Sequence, residues 1–260
     1  MLRLFSLISG SSGNCSVVTD GKTNILIDCG TSGKRALAAL DKIGIAPEDV
    51  SAMLVTHEHS DHIQGVGVLA RRLKIPVYAT AGTHSAMLVG SIADELIHTV
   101  SPDVSFDIGD ISVTPFSIPH DAAEPCCYTL SDGDDMVSVA TDIGYMSDAL
   151  ISRIIGSKSI ILESNHDVDM LRFGDYDYFL KQRILSDRGH LSNKDAANAA
   201  LELVKTGTEH IMLGHLSEKN NMPHIAQMET YNYLTDNGVR VGKDVTLQIA
   251  ARYDITSFDI

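Results

Sequence analysis

The segment His57-Glu58-His59-Ser60-Asp61-His62 sets four good metal ligands within six residues, immediately after the largely apolar run Val50 to Thr56. On extended backbone, residues two apart point the same way, so His57 and His59 can grip one ion. The chain then turns into a helix, whose opening residues Asp61 and His62 can face a second ion beside the first. Imidazole and carboxylate together suit zinc, manganese or iron. A polar loop with ordinary histidines is the competing reading, and the density of ligands at a strand-to-helix junction speaks against it.

Upstream of this cluster, Val17-Val18, the turn Asp20-Gly21 and the run Ile25 to Asp28 read as a hairpin. Ala36, Leu37, Leu40 and Ile43 recur at helical spacing, with Gly44 as the stop and Pro47 beyond it. Downstream, Ile63, Val66, Leu69 and Leu73 predict one helix with a single apolar face. Val77 to Ala79, Ile111 to Ile118, Cys126 to Leu130, Met136 to Thr141 and Ile160 to Leu162 read as strands, with Asp132-Gly133 as a hairpin turn. Lys194 to Lys205 predicts a helix with Asn193 as its N-cap. A strand at His210 to Leu213, a helix around Ile225 to Leu234 and a strand at Val245 to Ala250 follow. Helices interleaved with hairpins and buried strands predict a layered α/β sandwich. With no repeat, low-complexity tract or flexible linker, one domain over 1–260 is expected.

Composition narrows the class. At 260 residues and 44% hydrophobic, the chain can bury a large core. Its apolar runs are strand-length, which predicts a soluble protein with no membrane span. Cys15, Cys29, Cys126 and Cys127 lack paired zinc spacing and suit small buried side chains in a reducing compartment, so a cytoplasmic location is expected. A net charge of −14 argues against a broadly basic surface. Bound divalent cations would reverse the sign locally. Lys34-Arg35, Arg71-Arg72-Lys74, Lys181, Arg183, Arg188, Lys194 and Lys219 are the cations available for phosphate contact; most are expected simply to be solvated. His84, His98, His210 and His224 stand apart from any cluster and read as surface or structural residues.

The pattern HxHxDH, here His57 to His62, resembles the signature of the metallo-β-lactamase superfamily. Its further motifs have counterparts in the expected order: Asp28 at a strand end, His120 in IPHDA, Asp142 in ATDIG and His215 in LGHLS. The resemblance implies a metallo-β-lactamase-type αββα sandwich of two mixed sheets flanked by helices. It also implies two divalent ions, one held by His57, His59 and His120, the other by Asp61, His62 and His215, with Asp142 bridging them. Asp28 would support the ligands from behind. SGSSGNC (Ser9 to Cys15), ESNHD (Glu163 to Asp167), GHLSN (Gly189 to Asn193) and GHLSEKNN (Gly214 to Asn221) look like the YycJ/WalJ group, which implies a 5′ to 3′ DNA exonuclease. Tyr176-Asp177 departs from the Tyr-Pro expected there, away from the metal motifs.

The residues themselves point the same way. Asp142 stands where zinc β-lactamases use Cys, and an all-nitrogen-and-oxygen site suits phosphodiester hydrolysis, with hydroxide generated between two metals. Glu163 at a strand end and His190 in His190-Leu191-Ser192 resemble the pair that cooperates near the scissile phosphate in ribonuclease Z. His190 is the candidate general acid, oriented by Glu163. Ser192 and Asn193 offer a helix start for a phosphate or serve as ordinary caps. Gly13 and Asn14 form a phosphate-approaching loop or a plain turn. His166 is expected behind the site near Glu163. A nucleic acid, DNA first, is the expected partner. The competing functions are a thioester or lactone hydrolase on the same metals and a binding protein that retains the fold without turnover.

Overall fold

The computed structural model describes residues 1–258, so Asp259 and Ile260, the last positions of the expected domain, lie outside them. It contains two mixed sheets of seven strands each, flanked by helices. Two compact units are distinguished: residues 1–117, 122–137 and the described residues from 251 on form one, and residues 118–121 with 138–250 the other. Among the described residues no helix is long and apolar enough to cross a membrane.

The first unit holds the whole of the first sheet. Its strands are β1 (Arg3–Ile8), β2 (Cys15–Thr19), β3 (Asn24–Ile27), β4 (Val50–Leu54), β5 (Val77–Thr80), β6 (Ile97–Val100) and a short C-terminal strand, Thr256–Ser257, on the outer edge of β1. The predicted hairpin is the antiparallel β2–β3 pair, whose Asp20 carboxylate accepts the amides of Lys22 and Thr23 and so closes the turn. From β3 to β6 the pairing is parallel. Parallel pairing needs crossovers. Helix α1 (Gly33–Lys42) connects β3 to β4, while α2 (Ser60–Ile63) and α3 (Val66–Leu73) connect β4 to β5. Helix α4 (Ala81–Ala86) follows β5.

The helix expected through Ile63 to Leu73 is thus two helices, broken at Gln64-Gly65. The cause is local: the Asp61 and His62 carbonyls accept from the Asn14 and Cys29 amides, and the Gly65 amide donates to Cys29 O. Those bonds replace the intrahelical ladder, and they fix α2 against the strand ends.

The second sheet takes β7 (Phe106–Ile108), β8 (Ile111–Ser117), β9 (Cys126–Ser131), β10 (Met136–Ala140), β11 (Ser159–Glu163), β12 (His210–Gly214) and β13 (Thr246–Ile249) in chain order. In the first unit β7, β8 and β9 form an antiparallel meander. In the second unit β11, β12 and β13 run parallel. Their crossovers carry α6 (Val168–Phe173), α7 (Tyr178–Ile184), α8 (Asn193–Lys205) and α9 (Pro223–Asp236), while α5 (Asp148–Ile154) precedes β11. Strand β11 is buried along its whole length, as a parallel strand covered on both faces should be. The cap of α8 is Ser192 and not Asn193: its hydroxyl accepts the Asp195 amide.

Candidate metal centre

In parallel α/β sheets, ligands gather beyond the carboxyl ends of the strands. Asp28 follows β3, His57 lies just beyond β4, Glu163 ends β11 and His215 follows β12. Three of the predicted residues there, Asp28, Asp142 and His215, have φ of 60°, 61° and 55°. Left-handed backbone costs a non-glycine residue on the order of 1 kcal/mol, and such strain concentrates at functional sites.

In the first unit, His57 and His62 are fully buried and Asp28 nearly so. Asp28 Oδ2 accepts from His62 Nδ1 and from the Thr56 hydroxyl, both at 2.8 Å, and Oδ1 accepts the Thr56 amide at 2.8 Å. An ionised carboxylate can only accept, so His62 carries its proton on Nδ1 and turns Nε2 away. His57 Nε2 and His59 Nδ1 lie 3.0 Å apart, as expected for residues two apart on extended chain. Asp61, at the start of α2, forms part of the wall of an open cleft of about 630 Å³, whose rim includes Ser11 and Ser12.

Thr56 was not anticipated. Its hydroxyl lies 3.0 Å from His57 Nδ1 as well as on Asp28, and its only signal in the sequence is a polar residue closing an apolar strand just before the cluster. Asn14 is buried, and its amide nitrogen reaches Gly10 O and His62 Nε2, both at 3.1 Å. Its backbone N–H donates to Asp61 O at 2.8 Å. A Cβ on Gly13 would stand 2.6 Å from Gly30 O, so the close approach Gly13 permits is to the protein's own backbone. These two residues clamp the 10–14 loop onto Asp61-His62.

In the second unit, Glu163 is the hub. Oε1 accepts from Nδ1 of both His190 and His215 at 2.8 Å, and Oε2 accepts the amides of Ile143 at 2.7 Å and Leu191 at 3.1 Å. Burial pushes this carboxyl up, but the two histidines outweigh burial and hold it at about 2. With both Nδ1 atoms committed, His215 directs Nε2 toward Asp142, 3.5 Å from Oδ1. His120 Nε2 and His190 Nδ1 lie 3.8 and 3.7 Å from the same oxygen. Burial lowers the pKa of His120 although Asp142 opposes it, which favours the neutral ring that a metal requires.

This donor set fits a divalent cation. Asp142, Glu163, His190 and His215 each offer a ligand atom within 4.8 Å of the others. The distances from Asp142 Oδ1 to His215 Nε2 and His120 Nε2, 3.5 and 3.8 Å, are longer than hydrogen bonds and close to the roughly 3.4 Å that separates two ligands on one tetrahedral ion with bonds near 2.1 Å, whereas Nδ1 of His190 is already given to Glu163. In both units a histidine also gives its Nδ1 proton to a buried carboxylate, His62 to Asp28 and His215 to Glu163. Such outer carboxylates fix the tautomer of a metal-binding ring.

The helix start, read as a phosphate site or as ordinary caps, is buried. Asn193 is 0% exposed and Ser192 5%. The Asn193 side chain bonds to Ser164 and Asn221, and the Ser192 hydroxyl to Asp195, so both side chains are engaged within the protein. His166 is buried, and its two ring nitrogens have no hydrogen-bond partner among the described residues. Its carbonyl accepts the Asn193 amide at 2.9 Å, tying the segment after Glu163 to α8. All four cysteines are buried and free. His84 bonds to the His98 carbonyl, and His98 stacks on Tyr78, both outside the site.

Comparison with known proteins agrees with this geometry. The β-lactamase superfamily domain model matches residues 23–216. The chain is 44% identical to exodeoxyribonuclease YycJ of Bacillus anthracis over 93% of its length and 92% of the relative's. It is 41% identical to exodeoxyribonuclease WalJ of Streptococcus pneumoniae, covering 92% of this chain and 90% of that one. Among solved structures, the metallo-β-lactamase fold protein YhfI of Bacillus subtilis superposes with a TM-score of 0.72 at 18% identity, covering 99% of both chains. Zinc-bound PqqB of Methylobacterium extorquens gives 0.72 at 17% identity, covering 100% of both. The strand-end histidines and carboxylates, the two mixed sheets and these matches place the chain together: it belongs to the metallo-β-lactamase superfamily.

Proposed function

We propose that this metal-dependent hydrolase is a dinuclear exodeoxyribonuclease that digests DNA from the 5′ end, acting in the cytoplasm as one domain over 1–260. The observation that carries the reading is the Glu163 hub, which orients a metal-type histidine, His215, and a second histidine, His190, with the same oxygen. The proposed ligands are His57, His59, Asp61, His62, His120, Asp142 and His215, all nitrogen or oxygen donors. Two divalent ions, when bound, supply hydroxide at neutral pH and offset charge on the phosphoryl oxygens. Glu163 remains ionised and holds His190 by Nδ1, leaving Nε2 to pass a proton to the departing sugar oxygen. The DNA substrate and the polarity are supported by similarity to the named exodeoxyribonucleases.

Manganese- or zinc-loaded protein incubated with 5′- and 3′-end-labelled single- and double-stranded DNA tests this reading. Short products should leave the 5′ end, elemental analysis should find about two ions per chain, and His59→Ala or Asp142→Ala should lose most of one or both. Fewer than about one ion after reconstitution sinks the dinuclear site. Strong lactone or thioester turnover with no degradation of DNA or RNA sinks the nuclease.

A further inference from the structure

The three most exposed aromatic side chains among the described residues are Phe173 at 85%, Phe179 at 82% and Tyr178 at 69%. They fall within seven residues, on α6 and α7 of the second unit. Packing does not account for them: on these short helices Leu171 and Ile184 are the buried residues, and the rings point outward. Tyr178 and Phe179 stand edge to face with centroids 5.9 Å apart, and Lys219 Nζ lies 5.6 Å over the Tyr176 ring. Exposed aromatics grouped this way mark a binding surface.

Charge identifies the occupant. In a chain of net charge −14, residues 168–190 carry four basic and four acidic side chains. One of those acids, Asp177, is spent on capping α7. Two of the cations are held by carbonyls, Lys181 by Arg172 O and Gly174 O, and Arg188 by His120 O, bonds that leave their charge in place. A protein–protein interface core is depleted of charge, whereas rings interleaved with cations match bases and phosphates.

The platform also adjoins the proposed chemistry. The His190 amide donates to Ile184 O, the last residue of α7, and Arg183 pairs with Asp121 beside His120. We infer that Phe173, Tyr178 and Phe179, with Lys181 and Arg188, form a stacking platform for a single-stranded segment of the nucleic-acid substrate next to His190. This rests on the nuclease reading above. Stacking is indifferent to base identity, so the platform grips any sequence as digestion proceeds.

The test is fluorescence anisotropy of metal-loaded protein with a cleavage-resistant phosphorothioate oligothymidylate, alongside hydrolysis of bis(4-nitrophenyl) phosphate. Phe173→Ala/Phe179→Ala should weaken oligonucleotide binding about ten- to a hundredfold, leave the small diester's turnover unchanged, and keep the wild-type melting temperature. Phe179→Trp should preserve binding. If the wild type binds and digests DNA and the double alanine variant binds equally well, the platform is wrong and the nuclease reading stands. If the wild type neither binds nor digests nucleic acid, the nuclease reading fails and takes the platform with it. If the double variant turns a dimer into a monomer in sedimentation with oligonucleotide affinity unchanged, the rings serve self-association and the inference is overturned.

Discussion

The Oε1 atom of Glu163 lies 2.8 Å from Nδ1 of His215, and it holds His190 at the same distance. One oxygen therefore sets the tautomer of two rings with different proposed tasks. Were Glu163 merely a strand-end charge it would face water; it is instead wholly buried, with both oxygens receiving hydrogen bonds. Removing this carboxylate should disturb metal retention and proton delivery together.

Asp28 plays the corresponding part in the first unit, accepting three hydrogen bonds from Thr56 and His62. Asp28→Ala leaves a buried amide and imidazole unanswered and places a Cβ-bearing residue without polar help at φ 60°, so it should cost about 2 to 4 kcal/mol in urea unfolding. Asp28→Asn tolerates that backbone and should fold better. Its amide nitrogen, however, would face His62 Nδ1 or the Thr56 donors, so metal affinity should fall about ten- to a hundredfold. Wild-type metal affinity in Asp28→Asn, by competition with a chromogenic chelator, would rule out this supporting role.

His166 predicts a pH signature. Burial lowers its pKa to about 4 from 6.5, with Glu163 opposing the shift. The unfolded chain thus binds the proton more readily than the folded one between those values. Stability from this group is complete above pH 6.5 and is lost as the pH falls toward 4, by an amount on the order of 3 kcal/mol. His166→Leu should be neutral or mildly stabilising at pH 7, since the ring nitrogens make no hydrogen bond, and should flatten the decline. Equal losses of urea stability in wild type and variant between pH 7 and pH 4.5 would contradict this.

The candidate ligands could be picked out because they are local in sequence or sit at the ends of strongly apolar strands. His57 to His62 needs only the strand-to-helix transition after β4 to bring its donors together. Thr56 was missed because its role depends on a carboxylate arriving from β3, 28 positions away in the chain, which no local pattern encodes. Helices α6 and α7 were missed for a different reason. They have six and seven residues, too few for a period to emerge, and their rings face outward where an amphipathic reading expects them inward. Gly13 could be read as a close approach or a plain turn, and the residue it meets, Gly30, lies 17 positions away, beyond any local pattern.

The sharpest test of the proposed proton transfer separates the two rings that share Glu163. If His190 donates a proton to the leaving oxygen, His190→Ala should keep its metals while slowing DNA hydrolysis by roughly two to four orders of magnitude. Glu163→Gln should cost less in rate, because His190 can still protonate from solvent, but it should also weaken metal retention through His215, about ten- to a hundredfold in affinity. The pair acts as one unit toward the leaving group, so the double variant should be little slower than His190→Ala with metal in excess. A nitrophenyl phosphodiester, whose leaving group departs without a proton, should largely escape the effect of His190→Ala. Equal slowing of both substrates, or loss of metal from His190→Ala by elemental analysis, would assign His190 to ligation or positioning, and the 2.8 Å contact with Glu163 would then serve the metals alone.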